Sequence, residues 1–496
     1  MSRPLQCART AFVSRPVAAA VLAWTLALAG CADMAGIDSH SMMRDAASLG
    51  LADAMPPDPA ARPAGIDSRW WLALGDPRLD ALVDEALAGS PNLQTARARL
   101  ARAQAAIPGA QAADRPQLNG SADFTRQKFS GDYIYPPPIG GSIQNIGSLQ
   151  LGGSWEIDFF GKNRSALEAA IGSANSAAAE ADASAVLLAS NVARSYVQWA
   201  RLADQLAVAR RTLAQRDETL ALVRDRVSAG LDTRLELRQS EGGLPEARQQ
   251  IEALSEQIAI ARHALDALAG RPDATLSLPT PSLAGLHAMT LQPNIPADLL
   301  GRRADIAAAR WRVEAARSDV ANARSLFYPN VNLTAFVGLQ SLGFGNVLKS
   351  DSAQWGVGPA VRLPIFEGGR LRAGLRGKAA DLDAAIESYN ATVLDAVRDA
   401  ADQVSSVQSV ERQQRQQREA QAAAEGAYEI AVQRYRAGLG NYLNVLTAET
   451  AVLVQRREGV DLAYRALDTQ IGLARALGGG WQPSAVMAGV PATANP

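Results

Sequence analysis

A turn motif that occurs twice limits what this chain can fold into more than any other feature. Arg434-Tyr435-Arg436-Ala437-Gly438-Leu439 is followed by Tyr442-Leu443-Asn444-Val445-Leu446, and Arg226-Val227-Ser228-Ala229-Gly230-Leu231 by Arg234-Leu235-Glu236-Leu237. The two glycines stand 208 residues apart. In each copy a long, proline-free, Ala- and Gln-rich helical pattern runs into the Gly, and a second helical pattern leaves shortly after it. Glycine tolerates the left-handed conformation that closes a helix, so each copy reads as the turn of an αα-hairpin. A plain helix cap accounts for one such glycine, but not for two with matched flanks.

The duplication extends beyond the turns. Leu93 to Pro116 and Ile306 to Pro329 both cover an Ala/Arg-rich helix that ends before a proline, and the step Phe160 to Arg164 returns as Phe366 to Arg370. The offsets of 213, 206 and 208 differ by small loop insertions. Each copy then reads helix, strand, strand, long helix, turn, helix.

Alternation marks the strands. Leu149, Leu151, Gly153, Trp155, Ile157 and Phe159 face one way, against Gln150, Gly152, Ser154, Glu156 and Asp158. Val331, Leu333, Ala335, Val337 and Leu339 alternate with Asn332, Thr334, Phe336 and Gly338. Leu118, Gly120, Ala122 and Phe124 mark a weaker strand, and Trp355, Val357, Val361 and Leu363 complete the set. A sheet with one face in water has the same period of two, but segments of about ten residues are also what a transmembrane β-strand requires. Four strands cannot close a barrel, so strands in lipid would need other chains to complete it.

Heptads mark the helices. Val192, Trp199, Leu206, Leu213, Leu220 and Val227 are spaced by seven, as are Leu237 to Leu265, Ile386 to Val407 and Leu446 to Leu467. Sustained heptads mean left-handed coiled-coil packing. A helix from Ser165 to Ala229 would be about 100 Å long, enough to cross a compartment. Pro245, after Gly242-Gly243, should bend the helix that leaves the first turn. The stretch Glu411 to Glu419 offers no apolar stripe and reads as a solvated face or a helix lining water.

The N-terminal residues form an address. Arg3, Arg9 and Arg15 precede an apolar run from Val17 to Leu28, too short to span a bilayer, and Leu28-Ala29-Gly30-Cys31 is a small-residue cleavage site. Cleavage there would leave Cys31 as the only cysteine, which excludes an intramolecular disulfide and any cysteine-based metal site. Residues 32 to about 68, with Pro56, Pro57 and Pro59, read as an extended linker. Met34, Met42, Met43 and Met55 are too irregularly spaced, without His or Cys nearby, for a metal box.

No chemistry is written into the rest. A net charge of −1 with mixed signs indicates no nucleic-acid partner. Aromatic residues are 5% and much of the 48% apolar content is Ala, which favours long, closely packed helices. His40, His263 and His287 lack metal-ligand spacing, with His263 read as structural, and Gly343-Phe344-Gly345 and Gly368-Gly369 read as strand-end turns. With no nucleophile elbow or carboxylate pair, the chain reads as a non-enzyme that uses no cofactor and draws energy for any work from a partner.

The lipobox-like Cys31, the stretch Trp155-Glu156-Ile157-Asp158-Phe159-Phe160-Gly161-Lys162 and the paired turns resemble the TolC-like outer-membrane factors, specifically the lipoprotein branch that serves tripartite efflux pumps. The resemblance runs from Trp70-Trp71 to Gly478. It implies a mixed α and β membrane protein, a homotrimer whose chains each give four strands to a shared twelve-stranded transmembrane β-barrel above a long coiled-coil α-helical barrel. Cys31 would carry diacylglycerol and an N-acyl chain, and Ala32 after it points to the outer membrane. The domains would be a lipoprotein signal peptide (1–30), an anchored linker (31–68), a first repeat (69–275; strands 117–126 and 146–159), a second repeat (295–478; strands 330–340 and 353–365) and a tail (479–496). Gly230, Leu231, Gly438 and Leu439 would meet a periplasmic adaptor that links the duct to an inner-membrane transporter, while Tyr442, Asn444, Thr447 and Glu449 would form the aperture. Family members commonly carry Asp where this chain has Thr447, so Glu449 or the Asn444 amide would supply the polar constriction. The implied function is a passive exit duct for small toxic compounds. A protein-secretion channel of the same fold and a lipid-anchored coiled-coil scaffold are the alternatives.

Overall fold

A computed structural model describes residues 34–44, 66–289 and 301–482. The signal segment, Cys31 and Met55 lie outside the described residues. The chain divides into two compact units, one built from residues up to 42, 102–174 and 311–387, the other from 43–101, 175–310 and 388 onward.

The first unit holds the sheet. β1 (Gln117–Lys128), β2 (Ile143–Ile157), β3 (Asn330–Leu342) and β4 (Ala353–Arg362) follow one another as an antiparallel meander in the order β1-β2-β3-β4. The register puts Leu118 opposite Gly153, Leu151 opposite Val337, Trp155 opposite Leu333, and Val357 opposite Ala335. Because partners across a ladder share a face, Leu118, Phe124, Leu149, Leu151, Trp155, Leu333, Val337, Trp355, Val357 and Val361 cover one side. Gln117, Asn119, Ser121, Asp123, Ser148, Gln150, Ser154, Asn332, Thr334 and Gln354 lie on the other, where Phe336 is the one large aromatic, over Gly356. Trp355 is 77% exposed and Val357 67%, so in a single chain the apolar side is bare. Among the described residues no strand pairs with the outer edge of β1 or β4.

Aromatic contacts order the long loops. Phe129 packs edge-on to Tyr135 at 5.0 Å, and Phe124 to Phe344 at 5.6 Å. Gly147 leaves room for Val347, whose Cγ2 lies where a Cβ would stand. β2 starts three residues before the expected 146 and stops at Ile157. At its end Glu156 pairs with Lys162 at 2.8 Å, and just beyond it Asp158 accepts the amide of Arg164 at 2.8 Å, turning the chain into a helix. β4 ends at Arg362, two residues before Pro364, which has no amide to donate.

Residues 34–42 also belong to this unit. This short described part of the expected linker is docked here. One oxygen of Asp383 accepts bonds from the Ser39 hydroxyl at 2.6 Å and from the amides of His40 and Ser41 at 2.9 Å, Asp38 pairs with Arg324 at 2.8 Å, and Ile37 is buried.

The helices are α1 (Pro77–Gly89), α2 (Pro91–Ala112), α3 (Lys162–Ser228), α4 (Arg234–Ala269), α5 (Ala304–Ser325), α6 (Arg370–Arg436) and α7 (Tyr442–Ala476). α3 and α6 each run for 67 residues, about 100 Å at 1.5 Å per residue. No helix among the described residues is long and apolar enough to cross a membrane. α4 runs through Pro245 as one uninterrupted helix.

In the second unit the heptad residues that sequence analysis picked out are buried or half-buried throughout. The largest core gathers Trp70, Trp71, Leu74, Leu79 and Val83 onto Val192, Tyr196, Trp199, Leu265, Leu467 and Ile471. Tyr196 donates to Asp76 at 2.7 Å, joining α3 to the N-cap of α1. α7 ends in Gly478, Gly479 and Gly480, all left-handed, and added Cβ atoms there would strike Arg302, Val186 and Asp67. Trp481 then bonds Asp182 at 2.8 Å.

Candidate functional site

Both hairpin turns close in the same way. Gly230 and Gly438 have φ of 74° and 75°. The Leu231 amide donates to Arg226 O at 2.9 Å and the Gly230 amide to Val227 O at 3.0 Å; the Leu439 and Gly438 amides repeat this pattern on Arg434 and Tyr435 at 2.8 and 3.1 Å. This is the Schellman arrangement, which satisfies the last carbonyls of a helix and needs glycine at its left-handed position. It pushes the next residue outward, leaving Leu231 65% and Leu439 69% exposed. Leu235 and Leu443, four residues on, are exposed as well. Thr233 and Asn441 cap the departing helices, Thr233 in a full capping box with Glu236.

Behind the knobs the two turns are joined. The Arg226 guanidinium lies 4.5 Å from the centre of the Tyr435 ring, donates to Tyr435 O at 3.1 Å and pairs with Asp232 at 2.9 Å, while the Tyr435 hydroxyl donates to Asp232. Val223, Tyr435, Tyr442 and Val445 form an apolar cluster beside this network. The Arg226 hydrogen bond, opposed by burial and aided by Tyr435, holds the Asp232 carboxyl below its usual range. Burial, followed by the bond to Asp232, raises the Tyr435 phenol.

A depressed carboxylate pKa contributes stability that is present above the unfolded value and is lost as pH falls through the folded one. The tips should therefore be insensitive to pH around neutrality and loosen only in acid. Pepsin cleavage at Leu231 and Leu439 is expected to rise in the native protein, relative to Asp232→Asn at the same pH, as pH falls below the ordinary carboxylate range, whereas Asp232→Asn should follow only the pH dependence of the protease itself. Parallel pH profiles in the two proteins would contradict this.

Further along, Arg216 of α3 binds three partners. It pairs with Glu449 of α7 at 2.8 Å and with Glu246 of α4 at 2.9 Å, and donates to Gly243 O of α4 at 2.8 Å. Arg216 packs directly on Gly243, where an added Cβ would stand 3.4 Å from Arg216 Cδ, in ordinary contact. Burial works against the charge on Arg216, but the bonds to Glu449 and Glu246 outweigh it and raise its pKa. At the repeat offset of 208, Ala424 corresponds to Arg216 and Glu241 to Glu449, so the second copy cannot form this lock.

The first turns of α7 have two faces. Tyr442, Val445, Glu449, Val452 and Arg456 are buried. Asn444 and Thr447 are exposed, the Thr447 hydroxyl bonding only its own helix at Leu443 O, 2.9 Å away. Of the four expected aperture residues, two thus lie on an open face and two face neighbouring helices. Glu449 does not present a free carboxylate; its charge is taken up by Arg216. The sequence carried no signal for Arg216 or Asp232, because the partners that tie them to the other copy of the repeat, Glu449 and Tyr435, lie more than two hundred residues away in the chain.

Residues 82–271 and 295–479 match the outer membrane efflux protein family. The chain belongs to that family. It is 32% identical over 465 residues to multidrug resistance outer membrane protein MdtQ of Escherichia coli O6:H1, covering 92% of this chain and 96% of the relative. It is 39% identical over 370 residues to fusaric acid resistance protein FusA of Burkholderia cepacia, covering 72% and 68%. Among solved structures, the outer membrane protein VceC from Vibrio cholerae aligns with a TM-score of 0.80 at 34% identity, covering 84% of this chain and all of that one. This efflux-family protein is therefore an outer-membrane efflux channel with the TolC-like fold, and not an enzyme. The family match begins at α1 and spans both copies of the repeat, with residues 272–294 between the two matched stretches.

Proposed function

We propose that this channel works as a trimeric exit duct in a tripartite efflux system, carrying small toxic organic compounds from an inner-membrane transporter through a periplasmic adaptor to the outside. The open sheet is the observation that supports this reading most directly. One face is apolar and bare, the other polar, and the edges of β1 and β4 are unpaired. In lipid such edges must be hydrogen-bonded, and copies of the same sheet joined β1 to β4 close a barrel with the apolar face outward and a polar lumen.

The hairpin tips are the adaptor seats, with Leu231, Leu235, Leu439 and Leu443 as the contacting knobs. Asn444 and Thr447 line the aperture, and the Arg216–Glu449 pair keeps α7 in its closed position. Cys31 carries the lipid anchor. The relatives' names, multidrug resistance and fusaric acid resistance, support a cargo of small toxic molecules.

Outer-membrane fractions run without boiling should show a heat-modifiable trimer, and mass spectrometry of the mature protein should place diacylglycerol and an acyl chain on Cys31. Cys31→Ala is expected to abolish acylation and leave the trimer intact. A monomer in unboiled samples would overturn the shared barrel, and an unmodified Cys31 would overturn the anchor.

A further inference from the structure

The stretch that broke the heptads forms a seam of its own. On α6, Gln417 is buried and its amide donates to Gln455 O of α7 at 2.6 Å, Gln414 donates to Leu462 O of α7 at 3.3 Å, and Gln413 accepts from Arg465 at 3.1 Å. Gln421 donates to Glu425 at 3.2 Å, and Glu425 accepts from Arg456 at 3.0 Å. Gly459 lies beneath these amides. An added Cβ would stand 3.0 Å from Gln421 Oε1 and 3.1 Å from Gln417 Nε2. Alongside runs a groove of about 650 Å³ whose walls include Gln414, Gln417, Gln421 and Gly459.

Apolar contacts hold α7 on either side of the seam. Toward the turn, Tyr442 and Val445 pack with Tyr435; toward the other end, Leu467 and Ile471 join the main core, and Leu473 packs with Ala400 and Val404. An amide bonded to a helix carbonyl can exchange that partner for water at little net change in free energy, while parting an apolar seam exposes surface to water. The groove supplies the space for that water. The carbonyls of Gln455 and Leu462 already serve helix amides, and shared carbonyls of this kind are where helices bend.

We propose that Gln414, Gln417, Gln421 and Gly459 are positioning residues for the gate, a wet hinge line about which the first half of α7, with Asn444 and Thr447, parts from α6 while the second half stays in the core. This rests on the reading of α7 as the aperture helix.

Backbone hydrogen exchange of the full-length trimer tests the hinge without reference to gating. Exchange across residues 454–463 should be at least about tenfold faster than across 466–476. Gln414→Leu/Gln417→Leu, which restores an apolar seam, should slow it about fivefold or more, and Gly459→Ala, which crowds the amides, should speed it. Uniform exchange along α7, or a profile that neither variant changes, overturns the proposal. In lipid bilayers the double variant should also suppress the leak of Arg216→Ala. A slowed seam in a channel that Arg216→Ala does not open would sustain the hinge and refute the gate reading instead; a leak that persists with a slowed seam would refute the hinge as the gate's pivot.

Discussion

Replacing Arg216 by alanine should open the channel. The variant leaves the Glu449 carboxylate buried between helices with no counter-charge, and losing one partner of a buried pair costs about 3–5 kcal/mol. That cost falls on the arrangement in which α7 lies against α3; if α7 swings away, Glu449 reaches water. A bias of about 1.4 kcal/mol already shifts the equilibrium tenfold. Single-channel recordings should therefore show at least about a tenfold rise in open probability, with matching sensitivity of cells to large antibiotics that the intact outer membrane excludes. Glu449→Gln, which keeps an acceptor for the guanidinium, should open less than Arg216→Ala. Unchanged recordings from both variants, with trimers intact, would remove this pair from the gate.

The second large effect is expected at the sheet. Val357 lies in the middle of β4 on the bare apolar face, and Gly358, the next residue, faces the polar side with nothing within 4 Å of its missing Cβ. An arginine on the lipid face of a barrel costs roughly 2–4 kcal/mol near the bilayer midplane, and a shared barrel incurs it once per copy. Val357→Arg should abolish the heat-modifiable trimer or lower its melting temperature markedly. Gly358→Lys puts a similar charge one residue further along the strand, on the water side, and should leave the trimer's melting close to native. Equal melting of the two would mean that the faces are not lipid and water.

These two sites differ in how far the sequence revealed them. The faces of the sheet were legible because lipid and water impose a period of two directly on Leu149 to Ile157 and Val331 to Leu339; the alternation ran on to Phe159 only in the sequence, past the end of β2. The turns were legible because a left-handed residue calls for glycine, and Gly230 and Gly438 came with matched neighbours. The lock was not legible. Glu449 looked like a free acid near the mouth, and nothing within its own helix indicates that Arg216, 233 residues earlier, neutralises it. The stretch around Gln417 was visible only as a lapse in the heptads. Its hydrogen bonds go to the carbonyls of Gln455 and Leu462, which every residue type possesses, so no side-chain pattern could announce them.

The two turns share their leucines but not their charges. Asp232 follows Leu231, whereas Gly440 follows Leu439. Arg226 is held by Asp232, while Arg434 bonds only Leu439 O of its own turn at 3.3 Å among the contacts found there. Three copies around an axis would therefore offer six seats of two alternating kinds. In the proposed assembly a partner that reads only the leucine knobs would fill all six, because the Asp232 carboxylate that tells the seats apart is held inside its own network by Arg226 and Tyr435 and is nearly closed to a docking surface.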